Sequence, residues 1–473
     1  MKPRCWIPRS VIRLMAGDGA GRRLGLSLLL AFVSVPIPAE AAQPSRYELD
    51  VRLDPDRRHV AVTGRVSLEV ETGASTLSFG LHETFRIAEC AIGGKPASCA
   101  RVEPAPPGTT PTSREVKVAL PEAAVDGLVD LEIRYEGAIQ NRPGWGEPGA
   151  EGPFMDDSAG PDRVELALYS NWYPAFGYGP LFDVALQVTM PRGWVVTCLG
   201  EERGHRDSQE ETTRRWEARS VSDVLIIASP KLRSKDIETA AGRVRTHHTR
   251  LPESYLRREA QETEQTLLLF AEILGEASGS QMLQQVYSPR DWGQGFARPG
   301  MIVMAEGRVL RALEEDPGMS FVHGNAHEAA HFWWRGGSGQ GDWINESFAE
   351  YFAILAVRAV QGEGPFRDDL AEKRKAVRAL PEDAPALAVV PSSNDGHGYT
   401  IKYLKGALML DAFREHLGDE TFFGACRRFY EAIRGGGAGT DEFRAHWKEA
   451  LKDDELLSAW LDSPGSDPVL SAD

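Results

Sequence analysis

The sequence predicts a multidomain α+β fold, an N-terminal β-sandwich or saddle domain followed by an α-rich domain. Three observations lead there. Short runs of alternating apolar and polar residues recur from Tyr47 to about Arg233, the period of half-buried strands. From Pro252 onward the apolar spacing becomes that of amphipathic helices. Within that second half lies His327-Glu328-Ala329-Ala330-His331, a spacing that a helix turns into one shared face. At 473 residues the chain has length for two or three cores, and its 42% hydrophobic and 26% charged residues are the globular norm. The net charge of −16 argues against a nucleic-acid partner and against an anionic membrane surface.

Residues 1–41 read as a signal peptide. Arg9, Arg13, Arg22 and Arg23 precede the apolar run from Leu24 to Val35, and Ala39-Glu40-Ala41 supplies an A-x-A cleavage pattern. This predicts a bacterial periplasmic or secreted protein, with the segment either removed or kept as an anchor. The run is short for a membrane span, and no later segment is long and apolar enough for one. The β domain is expected over residues 46–235, with strand signals such as Tyr47 to Val51, Val66 to Val70 and Val184 to Val188. Pro104 to Ser113 and Ala138 to Asp162 are rich in Pro and Gly and read as long loops. Cys90 and Cys99 bracket a Gly-Gly-Lys-Pro turn, so a short-loop disulfide suits an oxidising compartment. Cys198 and Cys426 lie in a strand-like and a helical run and read as buried apolar residues.

The second domain is expected over 245–466. Its helices are read at 253–275, from about Met319 through the apolar Phe332, Trp333 and Trp334, and from Asn345 to Gln361. Others run from Ile401 to Leu417, where Gly418 is a stop signal, from Asp419 to Ile433, and from Asp441 to Leu451. A Gly-rich turn, Arg335 to Gly341, separates the second and third. No internal repeats are present.

The chemistry concentrates between His327 and Glu350. Two imidazoles one turn apart can grip a single metal ion, and the intervening Glu328 can take the proton of a water on it. Glu346, in the first turn of the next helix, supplies a third ligand. Glu350 shares its face. The division of labour read here puts Glu346 on the metal and makes Glu350 the acceptor of a ligand histidine's spare N–H. His323, one turn before His327, reads as a surface or outer-shell histidine. No G-x-S-x-G elbow offers a serine nucleophile, because Gln340 stands in the last Gly position around Ser338.

HEAAHFWW followed by WINESFAEY resembles the aminopeptidase-N and leukotriene-hydrolase family of gluzincin zinc metallopeptidases. The resemblance implies one Zn²⁺ held by His327, His331 and Glu346, with Glu328 as general base, in a thermolysin-like catalytic domain. The family spacing is four residues longer and would pick Glu350; the local W-I-N-E match picks Glu346 and is followed here. Tyr403-Leu404-Lys405-Gly406-Ala407 is similar to the family's Y-x-K-G-A, whose Tyr donates a hydrogen bond to the oxyanion of the reaction. Active aminopeptidases carry G-A-M-E-N before the metal helix. Here the stretch from Gly295 through Ala297 to Gly300 takes that place as the substrate-binding strand, with Ala297 where the amine-binding Glu belongs. Asp291 and Glu306 are the acids within reach in sequence.

The resemblance further implies a shortened member in which the large C-terminal helical domain does not follow. The expected activity is that of an exported zinc-dependent metallopeptidase acting on peptides or proteins, aminopeptidase-like but without the usual amine anchor. An endopeptidase or processing protease is the first alternative. A non-catalytic peptide-binding module is the second, and the intact Glu328 speaks against it.

Overall fold

Buried and exposed residues alternate along the long central strands of the N-terminal half, and this alternation builds the β part of the molecule. The computed structural model describes residues 42–468, apart from 72, 103–112, 121–126, 140–157, 178–180, 241, 278–282, 292, 294, 336–340, 392–395 and 435–436. The expected signal peptide, most of the two expected long loops and the centre of the Gly-rich turn therefore lie outside the described residues.

Two compact units emerge. Among the described residues, one takes in 42–252 and 283–309, the other 253–277 and 310–468. The first is built on an eight-stranded sheet, in the order Glu201–Asp207, Glu211–Val221, Phe182–Pro191, Ala42–Asp54, His59–Val70, Leu128–Ala138, Arg86–Ile92, Lys95–Pro96. Only Ala42–Asp54 and Phe182–Pro191 pair in parallel within it; the other pairs are antiparallel. Tyr47, Leu49, Val51 and Leu53 bury one face of their strand, and Glu48, Asp50 and Arg52 stay on the other. Sheets of three and four strands share the same apolar core. At the edge hairpin, Gly93 and Gly94 both take positive φ, +55° and +76°, as a tight primed turn requires. Cys90 and Cys99 are joined by a disulfide across this region.

A five-stranded sheet completes the unit, in the order Arg233–Glu238, Arg243–His248, Leu283–Ser288, Met301–Ala305, Phe296–Arg298. Phe296–Arg298 is its edge strand, and Gly295, Ala297 and Gly300 all sit in or beside it. By contact, residues 236–252 and the strands after 282 go with the N-terminal strands rather than with the helices that follow.

The helices are α1 (Glu253–Leu274), α2 (Glu306–Glu315), α3 (Val322–Ala330), α4 (Asp342–Gln361), α5 (Glu363–Arg378), α6 (Gly406–Leu417), α7 (Asp419–Ile433), α8 (Thr440–Leu451) and α9 (Asp454–Asp462). A π-helical turn, Thr400–Lys405, leads directly into α6. In the second unit α4 is central: from Trp343 to Val357 all of its residues are buried. Trp334 stacks on Phe348 at 3.9 Å between ring centroids, and Phe348 faces Phe429 at 5.8 Å.

Three helix expectations are corrected. α3 begins at Val322, not near Met319, and stops at Ala330, so Phe332, Trp333 and Trp334 do not extend it. They are buried in a turn, and leaving the helix frees the Trp334 carbonyl to accept a bond from His331. The helix read from Ile401 opens as the π-turn instead. Cys198 and Cys426 are free and buried, in a strand and in α7.

Candidate metal centre

α3 and α4 pack against each other in the second unit and carry the cluster between them. His327 and His331 lie one turn apart on α3 and its C-terminal cap, with ring centroids 5.0 Å apart. α1 fixes the start of this helix: Glu259 accepts the Phe321 N–H at 3.1 Å and the Asn325 side-chain amide, and Glu262 accepts the Ser320 hydroxyl at 2.9 Å. These acids occupy the N-terminal end, where unpaired N–H groups welcome negative charge.

α4 starts at Asp342, three residues before the expected start at Asn345, so Glu346 lies at the beginning of its second turn and not in the first. The Glu346 Oε2 is 3.3 Å from His327 Nε2 and 3.6 Å from His331 Nε2. One ligand atom from each of His327, His331 and Glu346 falls within 4.8 Å of the others. The opposite ring nitrogens are engaged: His327 Nδ1 donates to Glu350 Oε2 at 2.9 Å, and His331 Nδ1 to the Trp334 carbonyl at 2.9 Å. Those bonds place a proton on Nδ1 and turn Nε2 of each ring toward Glu346. His327 Nε2, both Glu346 oxygens and the Tyr403 hydroxyl are buried with no hydrogen-bond partner of good geometry. Buried polar atoms are almost always satisfied, so a convergent set of this kind marks a place for a ligand. Two imidazoles and one carboxylate are a donor set that suits Zn²⁺ with one position left open.

The electrostatics agree with that fit. Burial opposes a charged ring at His327, yet the Glu346 and Glu350 carboxylates outweigh it and raise its pKa to about 10. Burial would raise the carboxyl of Glu346, but the two histidines beside it hold it below its ordinary value. Glu350 lies well below the usual range, because Lys373 and His323 overcome its burial. Burial and the neighbouring Glu346 push Asp342 up to about 7, against the pull of Lys402. The pocket is thus rich in negative charge and short of positive charge. Glu328 is buried on α3 beside His327. Tyr403 stacks on His327 at 5.6 Å, and burial together with Glu346 keeps its hydroxyl protonated far above neutrality.

Local structure explains how Tyr403 comes to be there. Ser347 of α4 donates to the Lys402 carbonyl at 2.7 Å, and a Cβ on Gly406 would collide with that same Ser347 hydroxyl. Glycine at 406 is what lets the π-turn lie against α4. Lys405 anchors the other side through the Ser463 and Gly465 carbonyls, at 2.7 and 2.8 Å.

Residues 298–461 match the model of the peptidase family M1 domain. That stretch of the chain is similar to peptidase family M1 domains. The matched stretch takes in His327, Glu328, His331, Glu346, Glu350 and Tyr403. Aminopeptidase N of Lactococcus lactis subsp. lactis is 27% identical over 168 residues, covering 31% of this chain and 19% of the relative. Aminopeptidase N of Lactobacillus delbrueckii subsp. lactis is 29% identical over 169 residues, with the same coverage. The match thus spans about a fifth of either relative. In fold, a mutant M1 zinc metallopeptidase from Deinococcus radiodurans bound to a Tyr-Ser-Ala substrate superposes with a TM-score of 0.67. It is 17% identical, over 89% of this chain and 94% of that one. The yeast LTA4 hydrolase in complex with bestatin gives a TM-score of 0.70 at 17% identity, over 97% of this chain and 72% of that one.

The predicted substrate strand belongs to the other unit, where Gly295 and Gly300 are buried and Ala297 is half-buried. Glu306 is engaged within its own unit: its carboxylate accepts the N–H groups of Thr249 and Arg250, at 2.8 and 2.9 Å, and the Thr249 hydroxyl. The sequence reading missed the groups that back the cluster, Asp342 and Lys402 beside Glu346, and Lys373 and Asp369 beyond Glu350. Among the described residues, no helix is long and apolar enough to cross a membrane.

Proposed function

We propose that this protein is an exported zinc metallopeptidase that hydrolyses peptide bonds. His327, His331 and Glu346 would hold one Zn²⁺. When bound, that ion would polarise the scissile carbonyl and make a water nucleophilic near neutral pH. Glu328 accepts the proton of the attacking water and returns it to the leaving amine. Tyr403, kept protonated, donates a hydrogen bond to the oxyanion that develops on the carbonyl. Glu350 holds the His327 ring in the tautomer that turns Nε2 toward the metal. The convergence of buried, unsatisfied His327 Nε2, Glu346 and Tyr403 atoms carries this reading. A peptide substrate is supported by the Tyr-Ser-Ala held by the Deinococcus structural relative.

The edge strand Phe296–Arg298 is proposed to take substrate backbone by strand addition, at Gly295, Ala297 and Gly300. Ala297 in place of an acid, with Glu306 already engaged, favours cleavage that does not depend on a free N-terminus. The test is one peptide with a free and with an acetylated N-terminus, cleaved by the zinc-loaded chain and by Glu328→Gln. Equal rates on both peptides support an endopeptidase, and loss on acetylation an aminopeptidase. Glu328→Gln is expected to keep zinc and lose about 10²–10⁴-fold in turnover. Normal turnover in that variant would refute the assigned base.

A further inference from the structure

Behind the metal-facing ring of His327 runs a line of buried charge that the proposed reaction does not use. Glu350 takes the His327 Nδ1–H on Oε2, and its other oxygen lies 2.8 Å from Lys373 Nζ. Lys373 is held on its far side by Asp369 Oδ1 at 2.7 Å. His323 Nε2 closes the group, 3.3 Å from Glu350 and 3.4 Å from Asp369. The Lys373 and Glu350 side chains are only 7% and 5% exposed.

The position of Lys373 on its helix is the second observation. α5 buries Phe366, Leu370, Lys373 and Val377, the stripe that an amphipathic helix turns to the core. Three of the four are apolar. Packing alone would put a leucine at the remaining place, because burying an unpaired ammonium carries a large desolvation penalty. Asp369 could satisfy a lysine at the rim of the helix, one turn away. Reaching inward to Glu350 serves a different end: it neutralises the one carboxylate that touches the His327 ring from behind.

We propose that Lys373 is a positioning residue of the metal centre, which holds the Glu350 carboxylate in place behind His327 so that the ring is fixed with Nε2 turned toward the metal. Lys373 touches neither metal nor substrate and acts through Glu350. The inference rests on the zinc reading above.

The experiment measures zinc affinity by competition with a chromophoric chelator, in the full chain, for wild type, Lys373→Met, Glu350→Gln and the double variant. Lys373→Met is expected to bind zinc about 10–100-fold more weakly, the range for loss of an outer-sphere partner. In the Glu350→Gln background the same change is expected to cost nothing further, since its effect has no route left. Unchanged affinity in Lys373→Met overturns the proposal. So does an equal loss in both backgrounds, which is what a purely structural role for Lys373 gives. Lys373→Gln, which keeps a donor and loses the charge, is read in the same way should Lys373→Met fail to fold. A wild-type chain that takes up no stoichiometric zinc overturns the zinc reading itself, and is told apart from the other results at the first titration.

Discussion

Replacing Glu346 and Glu350 one at a time by alanine separates two carboxylates that share a helix face and differ in what they touch. Glu346 faces both Nε2 atoms, at 3.3 and 3.6 Å. Glu350 meets only the Nδ1 side of His327, at 2.9 Å, and spends its second oxygen on Lys373 and His323. Glu350→Ala should weaken zinc binding about 10–100-fold, as outer-sphere losses do. That is ~1.4–2.8 kcal/mol. It also strips a buried lysine of one of its two carboxylates. Breaking a buried ion pair costs about 3–5 kcal/mol, and the surviving Asp369 contact at 2.7 Å places this case at the lower end. Glu346→Ala removes one of three proposed donors, so its zinc affinity should fall well beyond the ~100-fold outer-sphere limit. Two readouts, chelator competition for zinc and thermal melting of the metal-free protein, then give opposite rankings. Glu346→Ala is worst for zinc; Glu350→Ala is worse for melting. If Glu350→Ala loses more zinc than Glu346→Ala, the geometric argument for Glu346 fails.

Three further outcomes are expected. Tyr403→Phe removes the buried hydroxyl without changing shape and should lower kcat about 10²–10³-fold while KM and zinc content hold; a fall in KM alone would contradict the oxyanion role. Gly406→Ala drives a methyl into the Ser347 hydroxyl and should destabilise the chain by about 1–3 kcal/mol, with activity lost faster than stability as the π-turn shifts; adding Ser347→Ala should restore part of both. In the β unit, burial, only partly offset by its bond to Gln284, lowers His247 from 6.5 to about 4. Between those values the unfolded chain binds a proton that the folded chain does not. Stability is therefore whole above pH 6.5 and falls toward pH 4, by on the order of 3 kcal/mol. Urea midpoints at pH 7 and pH 4.5 should differ less in His247→Gln than in the wild type, and equal slopes would remove His247 as the cause.

Legibility in the sequence followed the strength of local signals. The alternation at Tyr47 to Val51 and the unbroken helical pattern from Asp419 to Ile433 each reflect one element burying one face, and both reappear as elements. The five-stranded sheet was harder to see. Arg243–His248 and Leu283–Ser288 pair in parallel although α1 lies between them in sequence, and no local pattern reports such a partner. Lys373 was hidden for a different reason. An Asp and a Lys four residues apart, as at Asp369 and Lys373, ordinarily decorate a solvated helix face, and only the tertiary fold reveals that this lysine points inward. Likewise nothing in Trp333-Trp334 announces a helix end. The end is set by a carbonyl turned toward His331, a contact between residues three apart that costs α3 its next turn.

The competing readings of the third ligand have a common physical root. A connection four residues shorter than the family's is close to one helical turn, ~3.6 residues. Slipping α4 by a turn keeps the same face toward α3 and exchanges the carboxylate that leads. In this chain both positions on that face carry an acid, and the His327 ring sits between them. Glu346 lies on its Nε2 side at 3.3 Å and Glu350 on its Nδ1 side at 2.9 Å. Motif and spacing therefore each picked a residue of the same site. The choice between them falls to the far ends of the two carboxylates. Those of Glu350 are taken by Lys373 and His323, whereas both oxygens of Glu346 stay unsatisfied beside the two Nε2 atoms, where a cation would complete them.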